Sequence, residues 1–239
     1  MKIYQSKLLN NFKNVTHTFT SKNDGNLAFH VGDNPLDVKK NHLHLATRLK
    51  YDLQTLIHMK QIHSNLVHIV DANDNFEHPP TCDALITNKK GTPLMVMVAD
   101  CAPILFYDDK QKVIAVAHAG RAGAFTNIVK NVLNRFVDNF KSSVEDINMI
   151  VGTSIKSCCY EVGEEINQEV KKLNLAYAIQ KREDTYYLDV QSIIKTQLLR
   201  CGIKKENIEI SDECSCCNDN YFSYRAEGST GRFCGIISL

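Results

Sequence analysis

The sequence predicts an α/β or α+β fold built around an extensive sheet, and three observations support this. Short apolar runs bounded by turn residues recur along the chain, as expected of strands that are buried on both faces. Segments with helical periodicity lie between these runs. No linker rich in proline, glycine or serine and no internal repeat interrupts the 239 residues, so the sequence predicts one domain over residues 1–239.

The apolar runs predict ten strands. The two most apolar runs, Leu94–Val98 and Val113–Ala117, each end beside residues with catalytic or metal-binding side chains. The other predicted strands are Val15–Phe19, Leu66–Val70, Ala84–Thr87, Ile104–Tyr107, Ile147–Val151, Tyr186–Leu188, Ile208–Ile210 and Phe233–Ile237.

Three helices are predicted from periodicity and capping residues. The clearest spans Ala124–Phe140, where apolar residues recur with the i, i+3, i+4, i+7 spacing of a helix that buries one face. Asn34 and Pro35 are a preferred cap and first-turn pair, and they predict a helix that runs to about Leu49. The third helix is predicted over residues 189–200, from an aspartate cap to a glycine stop signal.

Composition excludes several classes of function. The chain is 44% hydrophobic and 23% charged with a net charge of +1, so neither nucleic acid nor an anionic membrane is an expected partner. No apolar stretch is long enough to span a bilayer, and the first residues lack the apolar centre of a secretory signal. We therefore expect a cytoplasmic protein whose nine cysteines are free thiols rather than disulfides.

Two local groups of cysteines need an interpretation. Cys158 and Cys159 are adjacent, and Cys214, Cys216 and Cys217 form a C-x-C-C run. Neither group shows the paired C-x₂-C spacing of zinc ribbons, and we interpret both as buried or surface thiols without a catalytic role, with a second metal site as the alternative.

A candidate site emerges where the two most apolar runs end. Asp100 and Cys101 follow the first run, His118 follows the second, and His63 lies ahead of another predicted strand. Two imidazoles and a thiolate can hold a zinc ion and leave its fourth position open, as in catalytic zinc sites. A cysteine nucleophile with a histidine base, or a buried cysteine beside two hydrogen-bonded histidines, would give the same pattern.

Several motifs in order along the chain resemble one known family. QIHS at 61–64, CDALIT at 82–87, ADCAPILFYD at 99–108 and VAHAG at 116–120 are similar to signature blocks of the laccase-domain family. Its members are also called multicopper polyphenol oxidase-like proteins or purine nucleoside phosphorylases. HVGDNP at 30–35, YEVGEE at 160–165 and FSYRAEGSTGR at 222–232 extend the resemblance over essentially the whole chain.

The resemblance implies a fold, a metal and an activity. The implied fold is a four-layer α/β/β/α sandwich with mixed sheets, within the α+β class. His63, Cys101 and His118 would hold one zinc ion, with copper as the alternative metal. The implied reactions are phosphorolysis of adenosine, inosine and methylthioadenosine to the base and (methylthio)ribose 1-phosphate, and deamination of adenosine. The implied partners are purine nucleosides and phosphate.

Further site residues follow from the chemistry that these reactions need. Zinc with an open position lowers the pKa of bound water from 15.7 to about 7, which suits attack on a purine ring. Asp83 and Asp100 are the acidic candidates for proton transfer. Arg121 and Arg225 are candidates for phosphate binding, and Asn26 is a further substrate-binding candidate. The family commonly has Trp-Arg after its H-A-G motif, whereas Arg121-Ala122 stand there in this chain.

Three other functions compete with this interpretation. A cysteine hydrolase or amidase would use Cys101 as nucleophile and His118 or His63 as base. A multicopper oxidase needs several H-x-H pairs, whereas His42 and His44 form one such pair in a predicted helix, which we interpret as a solvated face. A zinc-stabilised binding module without enzymatic activity is the third alternative.

Overall fold

The computed structural model describes residues 4–239, which contain twelve strands and six α-helices. The strands are β1 (Thr16–Phe19), β2 (Val67–Ile69), β3 (Ala84–Thr87), β4 (Leu94–Val98), β5 (Ala102–Asp108), β6 (Val113–Ala119), β7 (Ile147–Val151), β8 (Glu161–Val162), β9 (Ile179–Arg182), β10 (Thr185–Leu188), β11 (Ile208–Ile210) and β12 (Phe233–Ser238). The helices are α1 (Pro35–Leu49), α2 (Arg121–Phe125), α3 (Ile128–Phe140), α4 (Glu164–Lys172), α5 (Val190–Arg200) and α6 (Tyr224–Glu227).

Two sheets form the centre of the molecule. The larger has six strands in the order β11-β7-β5-β6-β3-β2 and is mixed, because β5 pairs antiparallel with β6 and β7 while β2 pairs parallel with β3 and β11 with β7. The smaller is antiparallel, in the order β1-β12-β4. A third sheet, β8-β10-β9, is not hydrogen-bonded to these two, and its Val162, Ile179 and Leu188 pack in the core between the larger sheet and its helices.

Alternation of side chains along the strands builds four layers. In β5, Ile104 and Phe106 pack toward the helical layer with α3 and α5, while Leu105 and Tyr107 pack toward the smaller sheet. In β4, Val96 faces the larger sheet, and its neighbours on the other side pack against α1. Both sheets are therefore covered on both faces. Each fully buried aliphatic or aromatic side chain in them contributes about 1.5–3 kcal/mol to the stability of the fold. The predicted α/β/β/α arrangement with mixed sheets is confirmed.

All ten predicted strands are present, with ends that differ by at most two residues from the predicted ones. Continuous apolar runs mark strands buried on both faces, so the prediction succeeds best in the interior of the sheets. The strands β8 and β9 and the helices α4 and α6 were not predicted. They are short or polar, and their sequences carry little periodic signal.

The predicted helix Ala124–Phe140 is wrong at its beginning. The chain forms α2, breaks at Thr126 and Asn127, and starts again with α3 at Ile128. Asn127 has a left-handed φ of 58°, and its side chain caps α3 by accepting a hydrogen bond from the backbone N–H of Lys130. Asparagine tolerates this conformation better than most residues. The apolar stripe continues across the break, so periodicity alone does not reveal it.

The interpretation of His42 as part of a solvated face is wrong, although His44 is exposed as expected. His42 is fully buried in α1, with Nε2 2.8 Å from the carbonyl oxygen of Leu27, and its ring stacks on Phe29. Burial lowers the pKa of His42 to about 4, so the ring is neutral at pH 7.

None of the helices in residues 4–239 is long and apolar enough to cross a membrane.

Candidate active site

Three separate elements bring His63, Cys101 and His118 together. His63 lies in the loop before β2, Cys101 between β4 and β5, and His118 within β6. Pairing of β6 with both β3 and β5 places the loops at their ends side by side. One donor atom from each of the three side chains lies within 4.8 Å of the others, and the two imidazole rings are 4.7 Å apart at 78°. The three residues that the sequence analysis grouped are therefore neighbours in space.

Asp83 organises both histidines from behind. Its Oδ1 accepts hydrogen bonds from His118 Nδ1 (2.8 Å) and from the backbone N–H of His63 (3.0 Å). Its Oδ2 accepts from the backbone N–H and the hydroxyl of Ser64, at 2.7 and 2.6 Å. Burial raises the pKa of Asp83, but the hydrogen bonds from His118 and Ser64 outweigh this and lower it to about 2. The carboxylate stays ionised and engages Nδ1, so Nε2 is the ring nitrogen of His118 that interacts with Cys101.

Two residues at the site have left-handed backbone conformations that non-glycine residues rarely adopt. His63 has a φ of 59° and Asp100 a φ of 82°. The hydrogen bond to Asp83 holds the backbone of His63. Asp100 is held by Ser215, whose hydroxyl donates to Oδ1 at 2.7 Å, and by Arg225, whose backbone N–H donates to Oδ2 at 2.7 Å. Hydrogen bonds from distant parts of the chain thus maintain both conformations.

Gly120 leaves room for the three donors. A Cβ atom at this position would lie 2.8 Å from Cys101 Sγ and 3.3 Å from His63 Cδ2. Its φ of −75° is ordinary for any residue, so the requirement for glycine comes from space rather than from backbone conformation. The absence of a side chain here leaves the donor atoms free to converge.

The electrostatics of the site favour charge separation. Burial raises the pKa of Cys101, but His118 and His63 outweigh this and lower it to about 6. Burial lowers the pKa of His118, but Cys101 and Asp83 outweigh this and raise it to about 9. The thiol is therefore readily ionised, which a soft metal ion or a nucleophilic role both require.

The three side chains line a cavity of about 960 Å³, which matches the upper range of small-molecule sites in proteins, roughly 300–1,000 Å³. Its walls combine aromatic rings with basic groups. The aromatic residues are Phe29, Phe76, Tyr160 and Tyr224, the basic residues are Lys60, Arg225 and Arg232, and the acidic residues are Glu77 and Asp100. Phe29 and Tyr224 are more than one third exposed, which is unusual for large apolar side chains and leaves them accessible to a ligand.

Other predicted site residues differ in their position relative to this cavity. Asp100 and Arg225 line it, whereas Asp83 lies behind His118. Arg121 lines a smaller cavity of about 50 Å³ that shares Cys101 and Tyr160 with the large one, and its guanidinium pairs with Glu169 at 3.1 Å. Asn26 does not line either cavity.

The amide of Asn26 is used within the fold. Its Nδ2 donates to the carbonyl oxygen of Ala28 and to Asp33, and its Oδ1 accepts from the backbone N–H groups of Ala28 and Arg232. Asn26 thereby fixes the backbone of Arg232 rather than facing the cavity. Arg232, Tyr160 and His30 lie within motifs already noted in the sequence, but nothing in their local pattern showed that they meet in space.

The site and the fold together describe a protein in which three side chains that could hold a metal ion lie beside a cavity. Residues 15–239 match the family model described as multi-copper polyphenol oxidoreductase laccase. The chain belongs to this family, and the resemblance noted in the sequence is confirmed.

Similar proteins carry names that indicate an activity. A purine nucleoside phosphorylase of Corynebacterium glutamicum is 33% identical over 215 residues, covering 90% of this chain and 86% of the relative. The purine nucleoside phosphorylase YlmD of Bacillus subtilis is 30% identical over 250 residues, covering 96% and 90% of the two chains. These relatives support a general nucleoside phosphorylase role.

Solved structures show the same fold. The hypothetical protein YfiH of Bacillus licheniformis superimposes with a TM-score of 0.90 at 29% identity, covering 97% of this chain and 94% of that one. YlmD of Geobacillus stearothermophilus gives a TM-score of 0.86 at 27% identity, with coverages of 95% and 92%.

Proposed function

We propose that the protein is a zinc-dependent purine nucleoside enzyme. It catalyses phosphorolysis of adenosine, inosine and methylthioadenosine, and it also deaminates adenosine. The observation that carries this proposal is the convergence of His63, Cys101 and His118 on one wall of a cavity large enough for a nucleoside and phosphate. The names of the relatives support the phosphorolytic part.

The donor set fits zinc. A thiolate and two imidazoles are common zinc ligands, and three protein ligands leave one position for water or substrate. Asp83 supplies the carboxylate that orients a metal-binding histidine in many such centres. The space above Gly120 allows the donors to approach one another. A zinc ion held by these residues would act as a Lewis acid and lower the pKa of a bound water.

Phosphorolysis transfers a ribosyl group from the base to phosphate. The bond between the base nitrogen and ribose C1′ breaks, a phosphate oxygen bonds to C1′, and the base leaves with a proton. Arg232 is our first candidate for binding the phosphate because it lines the cavity and is partly buried. Burial lowers the pKa of Arg232, so an anion beside this desolvated cation would be stabilised. The guanidinium of Arg232 also donates to the carbonyl oxygens of Thr230 and Gly231, at 2.7 and 2.9 Å.

Arg225 is a second candidate, and its guanidinium likewise has backbone partners. It donates hydrogen bonds to the carbonyl oxygens of Cys159 and Glu161, and it lies over the ring of Tyr160. These contacts place it as a support for the cavity wall. The exposed rings of Tyr224 and Phe29 offer stacking surfaces for a purine base.

Deamination adds water at purine C6 and releases ammonia, so a side chain must move a proton near that atom. Asp100 lines the cavity, whereas Asp83 is enclosed behind His118 and held by four hydrogen bonds at 3.0 Å or less. We therefore assign proton transfer to Asp100 and the orientation of His118 to Asp83.

The test is a product analysis with metal content measured in parallel. Protein purified without added metal is examined by elemental analysis and incubated with adenosine, with and without phosphate. Free base together with ribose 1-phosphate, formed only with phosphate, supports phosphorolysis, and inosine formed without phosphate supports deamination. Absence of both products from zinc-loaded protein contradicts the proposal.

A cysteine hydrolase remains the second candidate because of one specific arrangement. Asp83, His118 and Cys101 are ordered like the acid, base and nucleophile of a catalytic triad. A chelator distinguishes the two functions. A hydrolase would keep its activity without metal and lose it on alkylation of Cys101, whereas a zinc enzyme would lose activity with the chelator and regain it with zinc.

A further inference from the structure

Four cysteines gather at one point away from the candidate active site. The cluster consists of Cys158, Cys159, Cys214 and Cys217, whose sulfur atoms all lie within 4.8 Å of one another. Cys217 Sγ is 3.5 Å from Cys158 Sγ and 3.2 Å from Cys159 Sγ. The two pairs are far apart in sequence, and the fold alone brings them together.

The distances are those of a tetrahedral sulfur site. Zinc–sulfur bonds of about 2.3 Å place the four sulfur atoms of a tetrahedron roughly 3.8 Å apart, within the range seen here. Within the C-x-C-C run, Cys214 and Cys217 have the C-x₂-C spacing of zinc knuckles, which the intervening Cys216 hides. Soft thiolates in tetrahedral geometry select zinc or iron among the common metal ions.

Hydrogen-bond donors and a cation surround the cluster. The backbone N–H groups of Lys156, Cys216 and Cys217 donate to the sulfur of Cys214. The ammonium group of Lys156 donates to the carbonyl oxygen of Asp212 at 2.7 Å, which places a positive charge on the same pair of loops. Four thiolates and one divalent ion carry a net charge of −2, and such donors and cations offset it.

Exposure provides a second argument. Cys158 and Cys217 are exposed, although cysteine is among the most buried residue types. Exposed free thiols are vulnerable to oxidation. Coordination of a metal ion would account for the exposed thiols and for the proximity of Cys158 and Cys159 to Cys214 and Cys217.

We propose that Cys158, Cys159, Cys214 and Cys217 bind a second zinc ion with a structural role. The four thiols release their protons and coordinate as thiolates, so no oxidant or reductant is required. This site does not depend on the proposed enzymatic function.

The ion would fasten two loops that build one wall of the cavity. Tyr160 follows Cys159 directly, and the guanidinium of Arg225 donates to the Cys159 carbonyl oxygen at 3.3 Å. From the other loop, Ser215 donates to Asp100 beside Cys101. Loss of the ion should therefore lower the thermal midpoint and loosen this wall, without removing the donors His63, Cys101 and His118.

The test counts zinc per chain in reduced protein after passage over a chelating resin. The double variant Cys159→Ser/Cys217→Ser should hold one zinc fewer than the wild type. Cys216→Ser is the matched control because this residue is in the same run but outside the cluster, and it should retain the full count.

A second measurement leaves the cluster intact and so avoids any loss of folding. In Cys101→Ala, one zinc should remain, and cobalt(II) in its place should give the intense thiolate charge-transfer absorption of a four-sulfur site. If the candidate active site binds no metal, the wild type and Cys101→Ala should both hold this single zinc, so the two proposals fail separately. The proposal is overturned by a metal-free Cys101→Ala protein, by equal zinc in the wild type and the double variant, by iron in place of zinc, or by disulfides among the four cysteines in freshly purified protein.

Discussion

Asp83 contacts His118 twice, through its backbone and through its side chain. The backbone N–H of His118 donates to the Asp83 carbonyl oxygen at 2.8 Å, and His118 Nδ1 donates to the Asp83 carboxylate at 2.8 Å. The first contact continues the pairing of β3 with β6. The orientation of His118 is therefore fixed by the sheet itself, and a site held by paired strands is more precise than one carried by loops.

Asp83→Asn should weaken metal binding at the candidate active site. The amide that replaces the carboxylate cannot accept hydrogen bonds at both positions, so His118 loses its orienting partner. Changes of this kind typically reduce metal affinity about 10- to 100-fold. Competition with a chromophoric chelator measures the effect.

Asp74→Asn is the matched control for this prediction. Asp74 also pairs with a histidine, since its carboxylate lies 2.7 Å from His68 Nε2. His68 and Asp74 belong to a separate group of side chains, so Asp74→Asn should leave metal affinity at the candidate active site unchanged. Equal effects of the two substitutions would mean that Asp83 acts through general stability.

Cys101→Ala should remove the metal from the candidate active site while the protein keeps a cooperative unfolding transition. The residue is half-buried at the junction of two strands, and its side chain contributes a ligand more than it fills the core. Elemental analysis and thermal unfolding of the same preparation test both parts. A zinc count equal to that of the wild type would refute the assignment of Cys101 as a ligand.

Gly120→Ala should damage the metal site without straining the backbone. The added Cβ would meet Cys101 Sγ at 2.8 Å, so the sulfur must shift by several tenths of an ångström. Metal sites tolerate deviations of about 0.2 Å, and we expect affinity to fall about tenfold or more. Isothermal titration of metal-free protein with zinc measures the change.

Gly91→Ala is the control for this prediction, because it should strain the backbone without affecting the metal site. Gly91 has a left-handed φ of 69°, and no atom lies within 4 Å of the added Cβ. The substitution should lower stability by about 1 kcal/mol and leave zinc affinity unaltered. If both glycine variants lost metal equally, the contact with Cys101 would not be the cause.

The strands of the sheets could be predicted from local sequence, whereas contacts between residues distant in sequence could not. Strands such as Leu94–Val98 are continuous apolar runs, so burial on both faces is visible in the sequence itself. The pairing of Asp83 with His118, the position of Arg232 and the cysteine cluster depend on contacts between residues that are distant in sequence. Motif resemblance supplied the three donors, whereas periodicity contains no information on such contacts.

Glu209→Gln should destabilise the protein in a manner that depends on pH. The carboxylate accepts four hydrogen bonds, from the hydroxyls of Tyr4 and Ser6 and from the backbone N–H groups of Lys7 and Leu8. Burial raises the pKa of Glu209, but these hydrogen bonds outweigh it and lower the pKa. At pH 7 the free energy of unfolding of the variant should be about 1 kcal/mol lower than that of the wild type. The loss is limited to this size because the site is partly exposed to solvent.

The pH dependence has a definite sign. A pKa lowered by folding means that the ionised group contributes stability above its unfolded pKa of about 4.3, and that this contribution is lost as the pH falls through the folded pKa. Urea unfolding of both proteins from pH 7 to pH 3 should show the difference shrinking toward low pH. The exposed Glu206, replaced by Gln, is the control and should differ little from the wild type throughout. A difference that grew on acidification would contradict the role of the ionised Glu209.

Arg232→Ala should weaken phosphate binding more than Arg121→Ala. Arg232 lines the large cavity, whereas Arg121 lines the smaller adjoining cavity and pairs with Glu169. A lost charged hydrogen bond of about 1.5–3 kcal/mol corresponds to a rise of roughly 10- to 150-fold in the KM for phosphate. Adenosine deamination uses no phosphate and should be affected much less in the same variant.

Arg121→Ala is the matched control. Both substitutions remove one arginine, so a difference between them reflects the position of the side chain and not the loss of one positive charge. A larger rise for Arg121→Ala would place the phosphate in the small cavity, and equal loss of both reactions in Arg232→Ala would show that Arg232 supports the cavity rather than the phosphate.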